Sequence, residues 1–371
     1  MKTRRNFLKT TAVASLATVA TPTFGANIIT GKKERNDDTI YGHGDYKYKL
    51  DKNWGKVSSA RTPLLNCHEM VMDSKGRLIM LGDNPKNNIL IFDKSGKLLD
   101  YWGTAYPGGH GLTLSKEGGE DFLYLTDSGW YLNRRGELLQ HNGRVSKTTL
   151  DGKVVFDIGH PQTIGVYEVG DHFCPTEVAV GPNGDIYVAD GYGKDYILQY
   201  DAKGQFIRKW GGHDNEDKNY NLHNAHGVTV DYRDKNNPVL ICSSRAENVY
   251  KFFTLDGKYI RTLHLTNMYA CRAVIDDNNL YAGVCWSIPK GETKFDWLAH
   301  TGFVTVLEGD KVVSNPGGTA PEYKNGKLLP SYQLAHKPIW HGHDVCVDED
   351  KNLYVCQWNA GHSAPYKLER V

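Results

Sequence analysis

The chain has 371 residues, enough for one large domain or two ordinary ones. With 44 Lys and Arg against 43 Asp and Glu, its formal net charge is +1, which argues against a nucleic-acid footprint or a polybasic membrane patch. It is 40% hydrophobic and carries 39 Gly and 22 Tyr, and no apolar run is long enough to span a bilayer; this suits many short strands joined by tight turns.

The N-terminus reads as an address. Thr3-Arg4-Arg5-Asn6-Phe7-Leu8-Lys9 matches the twin-arginine export pattern, and a mildly apolar stretch ending in small residues follows. Residues 1–26 are therefore expected to be a signal peptide and 27–44 a flexible linker, with the mature protein in the periplasm. Tyr46–Leu50 alternates like a strand and precedes Trp54-Gly55. It belongs to no complete repeat of its own.

A template then recurs along residues 45–371. It runs from an alternating apolar strand through a turn with Gly or Asn to a second strand, a third, an Asp-x-x-Gly-Lys type turn and a last strand ending in Trp-Gly. The first copy starts at His68 and ends at Trp102-Gly103. The second starts at His110 and passes Asp151-Gly152-Lys153. The third, from Val178 to Trp210-Gly211, is the most regular. The fourth runs from His226 through Asp256-Gly257-Lys258. The fifth starts near Cys271 and carries a long insertion, roughly 286 to 341. The sixth starts at His343 and stops one strand short.

Repeats of forty-odd residues with four strands each predict an all-β fold, a six-bladed β-propeller. The stray Tyr46–Leu50 segment supplies the missing outer strand of the sixth blade. Closure by an N-terminal strand removes the exposed sheet edge.

In a propeller the first strand of every blade lines the central channel. The residues opening these strands are His68, His110, Thr176, His226, Cys271 and His343. Three of them open near-identical motifs: Gly-Gly-His110-Gly-Leu, Asn-Ala-His226-Gly-Val and His-Gly-His343-Asp-Val. They belong to alternate blades, roughly 120° apart in a six-blade ring, and three converging imidazoles make a zinc site with a position open for substrate. His68 is expected to be a substrate contact, as are Glu69 and Glu177, which also open first strands. The seven cysteines form no Cys-x-x-Cys pair and read as buried free thiols rather than metal ligands. Trp130, Tyr131, Trp286, Trp340, His341, Trp358 and His362 are available to line the mouth of the channel.

Phe173-Cys-Pro-Thr-Glu-Val-Ala-Val180, Ala189-Asp-Gly-Tyr192 and Ile197-Leu-Gln-Tyr200 closely resemble the core of peptidyl-α-hydroxyglycine α-amidating lyase, a six-bladed propeller of the NHL-repeat type. The resemblance covers about residues 60 to 371. It implies zinc on His110, His226 and His343, a tyrosine base at Tyr192 and a catalytic arginine at Arg245. It also implies a structural calcium held by the Asp344 carboxylate and the carbonyls of Leu112 and Met70. The chain departs from the family where the first blade should carry a second catalytic arginine: the aligned stretch is Met80-Leu-Gly-Asp83-Asn84. Arg272, opening the fifth blade, is the candidate to replace it.

Zinc beside Tyr192 and Arg245 would favour a phenolate below the ordinary tyrosine pKa of about 10. A phenolate base with a Lewis acid suits elimination. Three functions are open on this reading. The first is a zinc-dependent periplasmic lyase or dehydratase acting on a small hydroxylated molecule, an oligosaccharide from polysaccharide breakdown. The second is an amidating-type lyase that cleaves peptidyl-hydroxyglycine to amide and glyoxylate. The third is a non-catalytic binding propeller with a structural metal. The Tyr192, Arg245 and three-histidine set favours an enzyme. The missing first-blade arginine, and the absence from this chain of the hydroxylating monooxygenase domain that makes the amidating lyase's substrate, favour the first. The expected species is a monomer with Zn²⁺ and Ca²⁺, taking a small-molecule or oligosaccharide substrate, with no nucleic-acid partner and no membrane association after signal cleavage.

Overall fold

The computed structural model describes residues 38–133 and 135–371; the twin-arginine segment 1–26 and linker residues 27–37 lie outside them. Six antiparallel sheets of four or five strands follow one another along the chain, and no α-helix occurs among the described residues. The inner strands of blades one to six begin at Cys67, Gly109, Glu177, Ala225, Tyr269 and Gly342. They neighbour one another in that order, and the sixth returns to the first. Apolar residues alternate along the strands and interlock between sheets; Ile79 and Leu81 of blade one, for example, pack with Leu123 and Leu125 of blade two.

The ring closes through the N-terminal segment. Tyr46–Asp51 pairs antiparallel with Tyr366–Arg370, so the fourth strand of blade six comes from the other end of the described chain. Ile40–His43, expected in the linker, pairs with Tyr46–Asp51 and adds a fifth strand. The blade begins there because the apolar Ile40 and Tyr41 precede a Gly-rich turn that lets the chain fold back; Tyr41 is buried in the blade-six core.

The recurrent Trp-Gly has a structural reason. Trp54, Trp102 and Trp210 each lie over the glycine-bearing turn between the third and fourth strands of the next blade. Trp54 Nε1 donates to the Lys94 carbonyl at 2.9 Å, and Trp102 Nε1 to that of Leu150 at 3.0 Å. A Cβ at Gly152 would meet the Trp102 ring at 2.8 Å, and φ there is +86°, so this turn admits only glycine without strain.

Blade five corrects the sequence reading. The span 286–341 is not one insertion, because it contains the blade's third and fourth strands, Phe303–Glu308 and Lys311–Ser314. The added chain is two loops, 287–302 and 315–341. The first lies at the channel mouth that carries the histidines.

Candidate metal centre and active site

The histidines sit at irregularities of the inner strands. Strand pairing shifts register between Cys67 and Glu69, Gly109 and Leu112, Ala225 and Gly227, and Gly342 and Asp344. Bulges re-aim side chains at barrel rims, and here they turn His68, His110, His226 and His343 towards one another. The glycines after two of them allow the neighbouring blade to approach. A Cβ on Gly111 would lie 2.6 Å from the Thr176 carbonyl oxygen, and one on Gly227 2.5 Å from Arg272 Cα.

The His110, His226 and His343 rings are mutually 4.7–4.9 Å apart between centroids and all are buried. His110 Nδ1 donates to the Thr176 carbonyl at 2.8 Å and His343 Nδ1 to the His68 carbonyl at 2.9 Å. Those bonds fix ring orientation and leave Nε2 of both rings directed into the channel. Burial holds all three imidazoles well below the ordinary histidine pKa, that is, neutral and able to donate lone pairs. This neutral, nitrogen-rich set, with the His110 and His343 rings anchored on carbonyls, fits zinc.

The donor set is larger than the sequence suggested. The His68 ring lies 4.9 Å from those of His110 and His343, and its buried Nδ1 has no hydrogen-bond partner. Donor atoms of His68, His110 and His343 lie within 4.8 Å of one another, as do those of His226, Cys271 and His343. All seven cysteines are free and buried, as expected, yet Cys271 faces the centre.

Tyr192 and Arg245 come together over the histidines. The Tyr192 hydroxyl is 3.1 Å from His110 Nε2 and 3.2 Å from His226 Nε2, and Arg245 Nη2 donates to it at 3.4 Å. Both residues follow the second strand of their blade, as Asp83 does in blade one. Arg245 Nε donates to Asn224 Oδ1 at 2.6 Å, and its guanidinium lies over the Trp286 ring at 4.9 Å. In the protein alone, burial pushes Tyr192 above its ordinary pKa, and the charge and hydrogen bond of Arg245 act against that shift.

A cavity of about 860 Å³ opens above this group. Trp130, Tyr131, Trp286, Trp358 and His362 line it, as the sequence suggested, together with His68, Asp83 and Asn66. Trp297, from the first blade-five loop, was missed; it stacks near Trp358 at 6.0 Å and 28°. Trp340 instead stacks on His300 at 3.8 Å, and His341 is buried beneath the wall, bonded to the carbonyls of Ala299 and Trp358. Asp83, where the family's arginine was expected, takes bonds from Asn66 N and Nδ2 at 2.8 and 2.7 Å and lies 3.3 Å from His68 Nε2.

Three assignments need correction. Arg272 does not line this cavity. Its guanidinium forks onto the Asp344 carboxylate at 2.9 Å twice, and donates to the carbonyls of Leu112 at 2.7 Å and Met70 at 3.3 Å. Glu69 and Glu177, expected to touch substrate, face the same guanidinium at 3.0 and 3.7 Å, deep in the channel. The groups expected to hold calcium thus already face a cation of the protein's own.

No family model matches the chain. Curated relatives match segments of it. A probable peptidyl-α-hydroxyglycine α-amidating lyase of Caenorhabditis elegans is 35% identical over 129 residues, 34% of this chain and 32% of that protein. A peptidyl-α-hydroxyglycine α-amidating lyase of Drosophila melanogaster is 38% identical over 103 residues, 28% of this chain and 16% of that one. The chain thus spans a third or less of the length of these relatives. Among solved structures, a gluconolactonase from Xanthomonas campestris superposes with a TM-score of 0.53 at 11% identity, covering 90% of this chain and 96% of its own. An inactive virginiamycin B lyase from Staphylococcus aureus superposes at 0.50 with 14% identity, covering 87% and 100%. Likeness at that identity establishes the propeller fold alone. The chain is a six-bladed propeller with local sequence kinship to the amidating lyases.

Proposed function

We propose that this propeller is a zinc-dependent lyase or dehydratase of the periplasm, eliminating a leaving group from a small hydroxylated substrate, an oligosaccharide released in polysaccharide breakdown. The carrying observation is the Tyr192 hydroxyl, set between His110 Nε2 and His226 Nε2 with Arg245 at its other side. A metal that only braced the ring would not call for a phenol and a guanidinium in the wall of an 860 Å³ cavity. His110, His226 and His343 would hold the zinc, with His68 beside them. When bound, zinc supplies a Lewis acid and the positive charge that a buried phenolate needs.

The chain's own groups do the rest. The Tyr192 oxygen accepts the proton as a C–H bond breaks and a double bond forms. Arg245 offers N–H donors to the oxygen on which negative charge develops. The leaving group departs with the electron pair of the broken bond. Trp297, Trp358 and Trp130 offer ring faces, with Asn66, Asn359 and Asp83 as polar partners, a combination suited to a hydroxyl-rich ring substrate. The protein is proposed to act as a monomer, free of membrane and nucleic acid. The export segment Thr3–Lys9 supports the periplasmic address.

The amidating reaction is the second reading, and the matched segments of the amidating lyases favour it. Asp83 weighs against it, because a carboxylate repels the carboxylate that a hydroxyglycine tail carries. The test compares wild type with Tyr192→Phe at equal zinc content. Candidate oligosaccharides are followed for a new double bond or carbonyl, and hydroxyglycine peptides for glyoxylate. Loss of turnover by about 10²–10⁴-fold is expected for the variant. Glyoxylate release alone would select the second reading, and full activity of the variant would refute Tyr192 as the base.

A further inference from the structure

Below the histidines lies a second layer of the channel, built from the next residue of each inner strand. In blade order it is Glu69, Gly111, Glu177, Gly227, Arg272 and Asp344. The layer holds three acids, one guanidinium and two glycines. Glu69 Oε2 also accepts from Leu112 N at 2.6 Å, and Asp344 Oδ2 from Met70 N at 2.9 Å. Through one side chain, blade five is tied to blades one, two and six by hydrogen bonds and faces Glu177 of blade three. Blade four contributes Gly227, whose missing side chain makes room for Arg272 Cα.

Calcium takes six to eight oxygen ligands at about 2.3–2.6 Å. Here the Asp344 carboxylate and the Leu112 and Met70 carbonyls already accept guanidinium N–H groups at 2.7–3.3 Å. A divalent ion among them would lie against a buried positive charge. The residues present do not fit calcium.

We propose that Arg272 is this protein's built-in channel cation, replacing a bound calcium ion and making the folded ring independent of calcium. The converse also holds. Without the guanidinium, three carboxylates and two carbonyls face one another around a gap of the kind a hard cation fills. Arg272→Ala should therefore create a calcium requirement the natural protein lacks. This inference is independent of the reaction proposed above, since its readout is stability.

The test is a set of thermal melts of the full mature protein, dialysed free of calcium with zinc kept present, then repeated in millimolar calcium. The wild-type Tm should be the same in both. Arg272→Ala should melt lower by on the order of 10 °C without calcium and recover part of that loss with it. Arg272→Lys keeps a charge without the fork; it should lie between the two and ignore calcium. Calorimetric titration of calcium into the wild type should show no stoichiometric binding. A wild-type Tm that rises with calcium, or one calcium bound per chain, would overturn the proposal whether or not the variants fold. An Arg272→Ala protein as stable as wild type in calcium-free buffer would do so as well.

Discussion

Two layers of the same channel, one residue apart in each inner strand, behave in opposite ways. In the upper layer, nitrogen and sulfur donors converge: four imidazoles and a thiol, with the His68 Nδ1 left without a partner. In the lower layer every strong donor of the guanidinium meets a carboxylate or a carbonyl. A cluster whose guanidinium already faces the carboxylates and carbonyls is closed to a second cation, and one whose imidazole nitrogens gather round a centre invites one. The proposed chemistry belongs to the upper layer, because Tyr192, Arg245 and the large cavity adjoin it.

The largest expected effect comes from breaking the closed layer. Asp344→Ala leaves the Arg272 guanidinium buried without its fork, and should cost about 3–5 kcal/mol in urea unfolding. A loss below 1 kcal/mol would mean that Arg272 finds water there and that the layer is not closed. Gly227→Ala acts on the same layer by crowding. Its Cβ would sit 2.5 Å from Arg272 Cα, so backbone must shift, at a cost of about 1–3 kcal/mol. Neutral behaviour of this variant would show that blades four and five are less tightly apposed than the contacts imply.

A smaller effect comes from a buried carboxyl outside both layers. Asp190 accepts from the Tyr167 hydroxyl at 2.6 Å and from the Cys174 and Lys194 N–H groups at 2.6 and 2.8 Å, and burial pushes its pKa up to about 7. The folded protein thus holds this proton more tightly than the unfolded chain. Its contribution is present below the ordinary carboxyl pKa of about 4 and is lost as pH rises through 7. Wild-type stability should fall across that span by no more than about 1.4 kcal/mol per pH unit from this group. Asp190→Asn should flatten that part of the profile in urea melts at pH 5, 6 and 7. An unchanged slope would show that the three hydrogen bonds keep Asp190 ionised.

What the sequence made legible followed the repeat. His110, His226 and His343 stand out because equivalent positions of a repeat converge in space, and Tyr192 and Arg245 because they follow second strands in recognisable motifs. Arg272 was misplaced because nothing local marks its partners, which lie 72, 160 and 202 residues away in the chain. Glu69 and Glu177 open first strands as expected, but the bulge before Glu69, like those in blades two, four and six, sends the second residue down the channel; alternation alone does not reveal a bulge. Trp297 lay in a segment without periodicity, and the two strands of blade five were hidden between loops that interrupt the pattern. Asp83 was noticed only as an arginine that was absent.

Metal content tests the contrast between the layers most directly. The protein, purified with both ions supplied, should carry one zinc and no calcium per chain by elemental analysis, and His226→Ala should lose the zinc while its strand signal in circular dichroism is unchanged. Protein that retains calcium, or that binds no zinc when loaded, would contradict the account.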